Sequence, residues 1–182
     1  LILRAYSHEF EYDGEVHSES GYDVTGLIGT DAVTATTTGS IQYVSQSPIV
    51  NVLSGYEFTS GKATNYSITA VNGELTMKYG EQIEILLTTD DGNFEYDGTA
   101  HSKDSYVLTI GEDKYNVGAD GTYTFENGDV LTATLDASIT NVAEGTVANA
   151  ITVTVTNGTE DVSGAYKVTT VEGKLTVTPK AV

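Results

Sequence analysis

The sequence predicts an all-β protein that is built from two tandem modules. Three observations support this prediction: the composition, an internal repeat, and short alternating apolar runs between turn signals. Nineteen glycines against two prolines, with abundant threonine and valine, are typical of strands joined by tight turns. Because the 182 residues include twelve tyrosines, one methionine and no tryptophan, tyrosine must supply most of the large side chains.

The internal repeat consists of segments that recur in the same order. The motif FEYDG begins at Phe10 and again at Phe94. A longer segment, NYSITAVNGELTM, begins at Asn65 and returns in related form at Ala165. A weaker match pairs residues 31–36 with residues 129–134.

The repeat divides the chain into two predicted modules, residues 1–78 and residues 79–182. The stretch that joins them is short and has no proline or Gly/Ser tract, which favours a semi-rigid connection. The sequence begins within a predicted strand at residues 1–3 and runs past the last repeated segment at residues 178–182, so the chain is expected to be a monomeric excerpt of a longer array.

A β-hairpin is predicted at the end of each module. In the first module, the Asn72-Gly73 pair predicts a two-residue turn that joins residues 66–71 antiparallel to residues 74–77. Strand alternation then predicts a core face of Tyr66, Ile68, Ala70, Leu75 and Met77. The second module is predicted to pair residues 166–171 with residues 174–177, with a core face of Tyr166, Val168, Thr170, Leu175 and Val177.

The second module is longer, and most of the excess lies between Tyr106 and Asp129. Two alternating stretches there, residues 114–117 and residues 121–125, predict an extra β-hairpin. It carries the candidate ligand-binding residues of the chain, Tyr115, Tyr123 and Phe125. Exposed, these rings could stack on a sugar or anchor a protein partner, whereas facing inward they would enlarge the core.

The charge of the chain argues against polyanionic partners. With 26 acidic against 8 basic residues, the net charge is −18, which opposes the binding of nucleic acid and of anionic membranes. The acidity is interpreted as a source of solubility, with cation binding as the alternative. No apolar run approaches the length of a transmembrane helix, so no direct membrane insertion is predicted.

No residue is assigned a catalytic, cofactor-binding or metal-binding role, and the chain is predicted not to be an enzyme. His17 and His101 recur with the FEYDG motif and are interpreted as packed or edge-strand residues, while His8 has no counterpart. There is no cysteine and no Gly-x-Ser-x-Gly motif. Calcium is retained as an alternative ligand, through the Asp/Asn/Gly clusters at residues 90–93, 118–121 and 126–129, although these also suit ordinary turns.

These motifs resemble a known family. The Tyr12-Asp13-Gly14 opening, the segment VTGLIGTD at residues 24–31 and the segment NGELT at residues 72–76 are similar to the tandem YDG and MBG-type repeats of bacterial adhesins. The resemblance implies a mostly-β module, either β-grasp-like or an immunoglobulin-like sandwich, for each of the two predicted modules. It further implies that such modules are repeated along an extracellular protein of the cell surface or cell wall and act as a spacer or adhesion segment. A host or cell-surface protein or glycan is then the expected partner. The alternative is a carbohydrate- or protein-binding module that uses the tyrosines of the second module.

Overall fold

The computed structural model describes residues 1–181 and confirms the all-β prediction. Eighteen strands are joined by turns and by four short 3₁₀ turns, and residues 1–181 contain no α-helix. Of the two expected architectures, the sandwich therefore agrees with the structure, because nothing in the described chain could supply the helix of a β-grasp. No helix within residues 1–181 has the length and apolar character needed to span a bilayer.

The chain divides into two compact units between Gly80 and Glu81. The first unit contains two sheets, with the strand orders β3-β1-β6 and β2-β7-β5-β4. Its strands are β1 (Ile2–Ala5), β2 (His8–Glu11), β3 (Tyr22–Thr25), β4 (Ala32–Thr38), β5 (Ile49–Ser60), β6 (Thr69–Val71) and β7 (Gly73–Lys78).

The second unit contains three sheets, with the orders β11-β10-β8-β17, β12-β13-β15-β16 and β14-β18-β9. Its strands are β8 (Ile83–Thr89), β9 (Gly92–Glu95), β10 (Tyr106–Ile110), β11 (Asp113–Val117), β12 (Thr122–Thr124), β13 (Val130–Thr134), β14 (Thr146–Ala148), β15 (Thr152–Asn157), β16 (Glu160–Asp161), β17 (Tyr166–Val171) and β18 (Lys174–Thr178).

Corresponding strands of the two units pair in the same way. The first strands run parallel to the last ones, since β1 pairs with β6 and β2 with β7, just as β8 pairs with β17 and β9 with β18. The long strand β5 pairs with β7 at one end and with β4 at the other, and the second unit divides these roles between β14 and β15. Strands β11, β12 and β16 are additions of the second unit.

The predicted closing hairpins are wrong. Strand β6 does not pair with β7, because the chain crosses at Asn72 from one sheet to the other. Gly73 serves this crossing: a Cβ atom there would overlap the carbonyl group of Tyr6. Gly173 has the same role against the backbone of Asp90. The sequence pattern predicts a turn at this glycine, but the glycine is required because only a residue without a Cβ atom permits the close backbone approach.

The predicted core faces are correct in part. The buried members are Leu75, Met77, Tyr166, Leu175 and Val177, and Tyr66 and Ile68 are partly buried. By contrast, the remaining predicted core residues lie on the edge strands β6 and β17 and are exposed, namely Ala70, Val168 and Thr170.

Each unit buries separate apolar clusters. In the first, one cluster forms around Leu3 and Leu53, and a second forms around Ile41, Leu75 and Met77. In the second unit, Ile139, Leu175 and Val177 form the matching second cluster. Burial of each large apolar side chain contributes about 1.5–3 kcal/mol, so these clusters stabilise the units independently.

The extra hairpin is also wrong as predicted. Both stretches form strands, but β11 pairs with β10 and β12 pairs with β13, so they belong to different sheets. The turn that joins a hairpin is at Gly111, which has a φ of 60° between β10 and β11. Alternation predicted the strands correctly but carried no information about their partners.

Candidate functional site

The three candidate ligand-binding residues come together although their strands do not pair. The ring centroids of Tyr115 and Tyr123 are 4.9 Å apart, and those of Tyr123 and Phe125 are 5.2 Å apart. Phe125 in turn lies 4.6 Å from the ring of Tyr166. The row runs from Tyr115, which is 36% exposed, to Tyr166, which is 3% exposed, so it leads from the surface into the core.

Tyr115, Tyr123 and Phe125 line a groove of about 400 Å³, which we call the aromatic groove. Its wall is completed by Ile83, Ile110, Asp113, Glu126 and Asn127. The lining, within the described chain, contains two carboxylates and an amide but no lysine or arginine. Flat apolar faces beside acceptor oxygens suit a ligand with stacking surfaces and either hydroxyl groups or a positive charge.

A buried polar network supports one end of the aromatic groove. The carboxylate of Asp129 is inaccessible to solvent and accepts a 2.8 Å hydrogen bond from the Tyr166 hydroxyl. The amides of Asn127 and Asn157 each donate to it at 2.9 Å. A tight turn at Gly128, with a φ of 83°, holds Asn127 in place. The network fixes the positions of groove residues, because a buried carboxylate requires its donors.

The hydroxyls of Tyr166 and Tyr123 are held in the neutral form. Burial raises the pKa of Tyr166, and the hydrogen bond to Asp129 raises it further. Burial also raises the pKa of Tyr123, with a smaller contribution from its hydrogen bond to Tyr115. At neutral pH these groups therefore present hydroxyl donors and acceptors rather than charges.

The repeated histidines brace the FEYDG turns. His17 Nε2 lies 2.8 Å from Asp13 Oδ1, its ring stacks on Phe10 at 4.9 Å, and its backbone bridges to Ile41. The second unit repeats these contacts with His101, Asp97, Phe94 and Ile139. Each imidazole therefore joins the aspartate of the turn to the phenylalanine of the preceding strand, which agrees with the packed position expected from the sequence.

The tyrosines of the same motif share a backbone position but differ in burial. The amide nitrogens of Tyr12 and Tyr96 donate to the carbonyl groups of Lys78 and Thr178, each at 2.9 Å. Tyr12 packs against the core cluster of the first unit, whereas Tyr96 is 40% exposed.

The carboxylates of the acidic turns, which were candidate calcium ligands, accept hydrogen bonds from within the protein. Asp90 accepts from the Ser105 hydroxyl at 2.6 Å, and Asp91 accepts from the backbone of Lys174 at 2.7 Å. Asp120 faces the Thr122 hydroxyl at 3.4 Å. Within residues 1–181, no three side chains of histidine, aspartate or glutamate are grouped so that they could hold a metal ion.

Two structural features were missed in the sequence. Asn51 and Asn149 are fully buried, and each side-chain amide donates to two backbone carbonyl groups. The signal was present: each asparagine follows a buried isoleucine, Ile41 or Ile139, by ten residues. The second feature is that Asp31 accepts a hydrogen bond from Tyr66 as Asp129 does from Tyr166. All four residues lie in repeated segments, but their pairing was not predicted.

Comparison with known proteins gave no match to any family model, curated protein or solved structure.

Proposed function

We propose that this chain is a non-enzymatic segment of tandem modules in a bacterial cell-surface protein, where it acts as a spacer or adhesion segment. The observation that carries the proposal is the nature of the repeated polar residues. The Asp–Tyr, Asp–His and buried asparagine contacts occur in both units, and each one binds backbone or braces a turn. The contacts that recur are thus those of a structural framework, as expected of an array in which every module has the same mechanical task.

The resemblance to YDG and MBG-type repeats gives this framework its proposed setting outside the cell. The net charge of −18 suits a surface that must stay hydrated and must not adhere to its neighbours without specificity.

Surface location can be tested on intact cells of the source organism. An antiserum raised against this chain should label unbroken cells, and brief treatment with an external protease should remove the label. A cytosolic protein serves as the control and should stay intact under the same treatment. Detection of the chain only after lysis would contradict the proposal.

A second candidate function, ligand binding, is favoured by the aromatic groove. Unlike the framework residues, Tyr115 and Tyr123 have no repeated counterparts, and both line an open groove. We propose that a glycan or a basic protein segment binds there, with its flat or cationic groups against the tyrosine rings.

Because the chain has no tryptophan, its fluorescence comes mainly from its twelve tyrosines, and variants at single tyrosines identify the part of a response that arises in the aromatic groove. Neutral oligosaccharides and lysine- or arginine-rich peptides should be titrated separately, and Tyr115→Ala should abolish the response. Tyr56→Ala, at a 45% exposed tyrosine of the first unit, is the matched control and should leave it unchanged. Loss of affinity in high salt identifies the basic peptide, since screening weakens ion pairs but not sugar stacking. Equal responses from both variants would contradict binding in the groove.

A further inference from the structure

The two ends of each unit are held by neighbouring parallel strands. In the first unit, three register pairs join β1 to β6 and four join β2 to β7, which makes seven in total. In the second unit, six pairs join β8 to β17 and four join β9 to β18, which makes ten. Every other strand of a unit lies between these first and last strands in the chain.

We propose that each unit is a mechanical clamp, which resists tension applied through the polypeptide at its two ends. In a parallel pair, such tension pulls the first strand backwards and the last strand forwards along the same axis. The inter-strand hydrogen bonds run across this axis, so all of them must yield together. In an antiparallel hairpin at the ends of a module, the bonds would instead open one after another.

Side chains reinforce the clamp where the strands cross between sheets. In the first unit, the Ser7 hydroxyl accepts a 2.9 Å hydrogen bond from the backbone of Glu74. In the second unit, the Thr89 hydroxyl accepts from the backbone of Gly173 at 2.9 Å. These bonds join the first and last strands at the one place where the backbone ladder is interrupted.

One strand of each parallel pair is covered by apolar packing, whereas β6 and β17 lie at exposed sheet edges. Leu3 on β1 and Leu75 on β7 are fully buried, as are Leu87 on β8 and Leu175 on β18. Water that competes for a strained hydrogen bond speeds its rupture, so apolar cover on these strands slows the opening of the clamp.

The segment that would transmit tension between the two units is short. Only residues 79–82 separate the last strand of the first unit from the first strand of the second. The additions of the second unit, β11, β12 and β16, lie between its terminal strands and carry no tension while the clamp holds. This proposal concerns the fold itself, so its test is independent of whether the protein is on a cell surface.

The direction of pulling provides the test. The chain has no cysteine, so two introduced cysteines define the pulling axis of the second unit in optical tweezers. Glu81→Cys with Lys180→Cys loads the clamp in shear, whereas Glu81→Cys with Lys167→Cys pulls the same ladder open from one end. All three positions are exposed, and unchanged melting temperatures should confirm that both variants fold.

At equal loading rates, the shear pair should unfold at a force about twofold or more above that of the peeling pair, because the bonds yield together rather than singly. Rupture of the shear pair should release a length of chain of about 340 Å, as expected for 99 residues. Equal forces along the two axes would overturn the proposal.

A second measurement uses the full chain with handles fused to both ends. The first unit, with seven register pairs, should yield before the second, with ten. The first event should then lengthen the chain by about 270 Å and the second by about 340 Å. The opposite order would show that the terminal ladders do not set the resistance.

Discussion

The hydroxyl of Tyr166 donates a 2.8 Å hydrogen bond to the carboxylate of Asp129, and Tyr66 donates in the same way to Asp31 at 2.7 Å. The two pairs occupy equivalent places in the repeat, yet their surroundings differ. Asp129 is fully buried, whereas Asp31 is partly exposed to water. The same chemical contact should therefore contribute differently to the stability of the two units.

Tyr166→Phe should destabilise the second unit by about 1.5–3 kcal/mol, because it removes a donor from a buried charged acceptor. Tyr66→Phe should cost the first unit less, about 0.5–1.5 kcal/mol, since water can replace the lost donor. Urea unfolding of the full chain gives the free energies, and amide exchange on β13 and β4 assigns each loss to a unit. A larger loss for Tyr66→Phe would contradict this explanation.

Stability should fall steeply in alkaline solution. Burial raises the pKa of Tyr106 from its ordinary value of 10.0 to about 12, and the pKa of Tyr166 is raised as well. Because folding favours the protonated forms, their stabilising contribution is complete below pH 10 and is lost as the pH rises towards 12.

Urea unfolding between pH 9 and pH 12 measures this loss, and ultraviolet absorbance follows tyrosinate formation. In Tyr106→Phe, which lacks the hydroxyl that donates to Gly121, the decline should be shallower. Ionisation of all tyrosines near pH 10 in the folded protein would contradict the prediction.

The two FEYDG turns should titrate differently. The hydroxyl and the backbone amide of Thr99 both donate to Asp97, and they lower its pKa from 3.8 to about 2. At Asp13, burial raises the pKa and so opposes the lowering by the hydrogen bonds from His17 and from the backbone of Glu15. Glu15 stands where the second turn has Thr99, so Asp13 lacks a hydroxyl donor and its pKa is lowered less. NMR titration of the carboxyl groups should show Asp97 titrating below Asp13, and Thr99→Ala should bring the two together. No response of Asp97 to this substitution would exclude the hydroxyl as the cause.

Gly173→Ala should destabilise the second unit by at least about 1–3 kcal/mol, the range for overpacked sites. Its Cβ atom would overlap the backbone of Asp90, which a rotamer change cannot relieve. Gly118→Ala is the control, because a Cβ atom there meets nothing within 4 Å and the backbone has no positive φ. Thermal unfolding of both variants distinguishes close approach from a general effect of losing glycine.

Calcium should leave the melting temperature unchanged, because Asp90, Asp91 and Asp129 already accept hydrogen bonds within the protein. The measurement is differential scanning calorimetry in EDTA and in millimolar calcium. A site filled at 100 times its Kd would add about 2.7 kcal/mol, which this method would detect easily.

The sequence was sufficient for the strand class, the repeat and the burial of Leu75 and Leu175, because alternation and recurrence depend only on local order. It was insufficient for strand partners. The Asn72-Gly73 pair is compatible with a turn and with a crossing between sheets, and only the position of Tyr6, 67 residues earlier, decides between them.

The aromatic groove shows the same division. The composition of the insertion identified Tyr115, Tyr123 and Phe125, but predicted a hairpin that would hold them together. In the structure their rings meet across two different sheets, through contacts that no local pattern encodes. The sequence places Asp129 in the repeat and in a turn, but it does not indicate a hydrogen bond to Tyr166, which lies 37 residues away.

The pairing of first with last strands also determines when a module can fold. Strand β1 cannot find β6 until more than 60 intervening residues have been synthesised, and a chain that is still inside a ribosome or an export channel lacks that partner. Closing so long a segment is slow, since its entropy must be lost before the distant contacts form. Each unit can therefore complete its core only after its final strand has been synthesised or, under the surface location proposed above, exported. A chain with this topology can be threaded outward in an extended state and fold one module at a time beyond the channel.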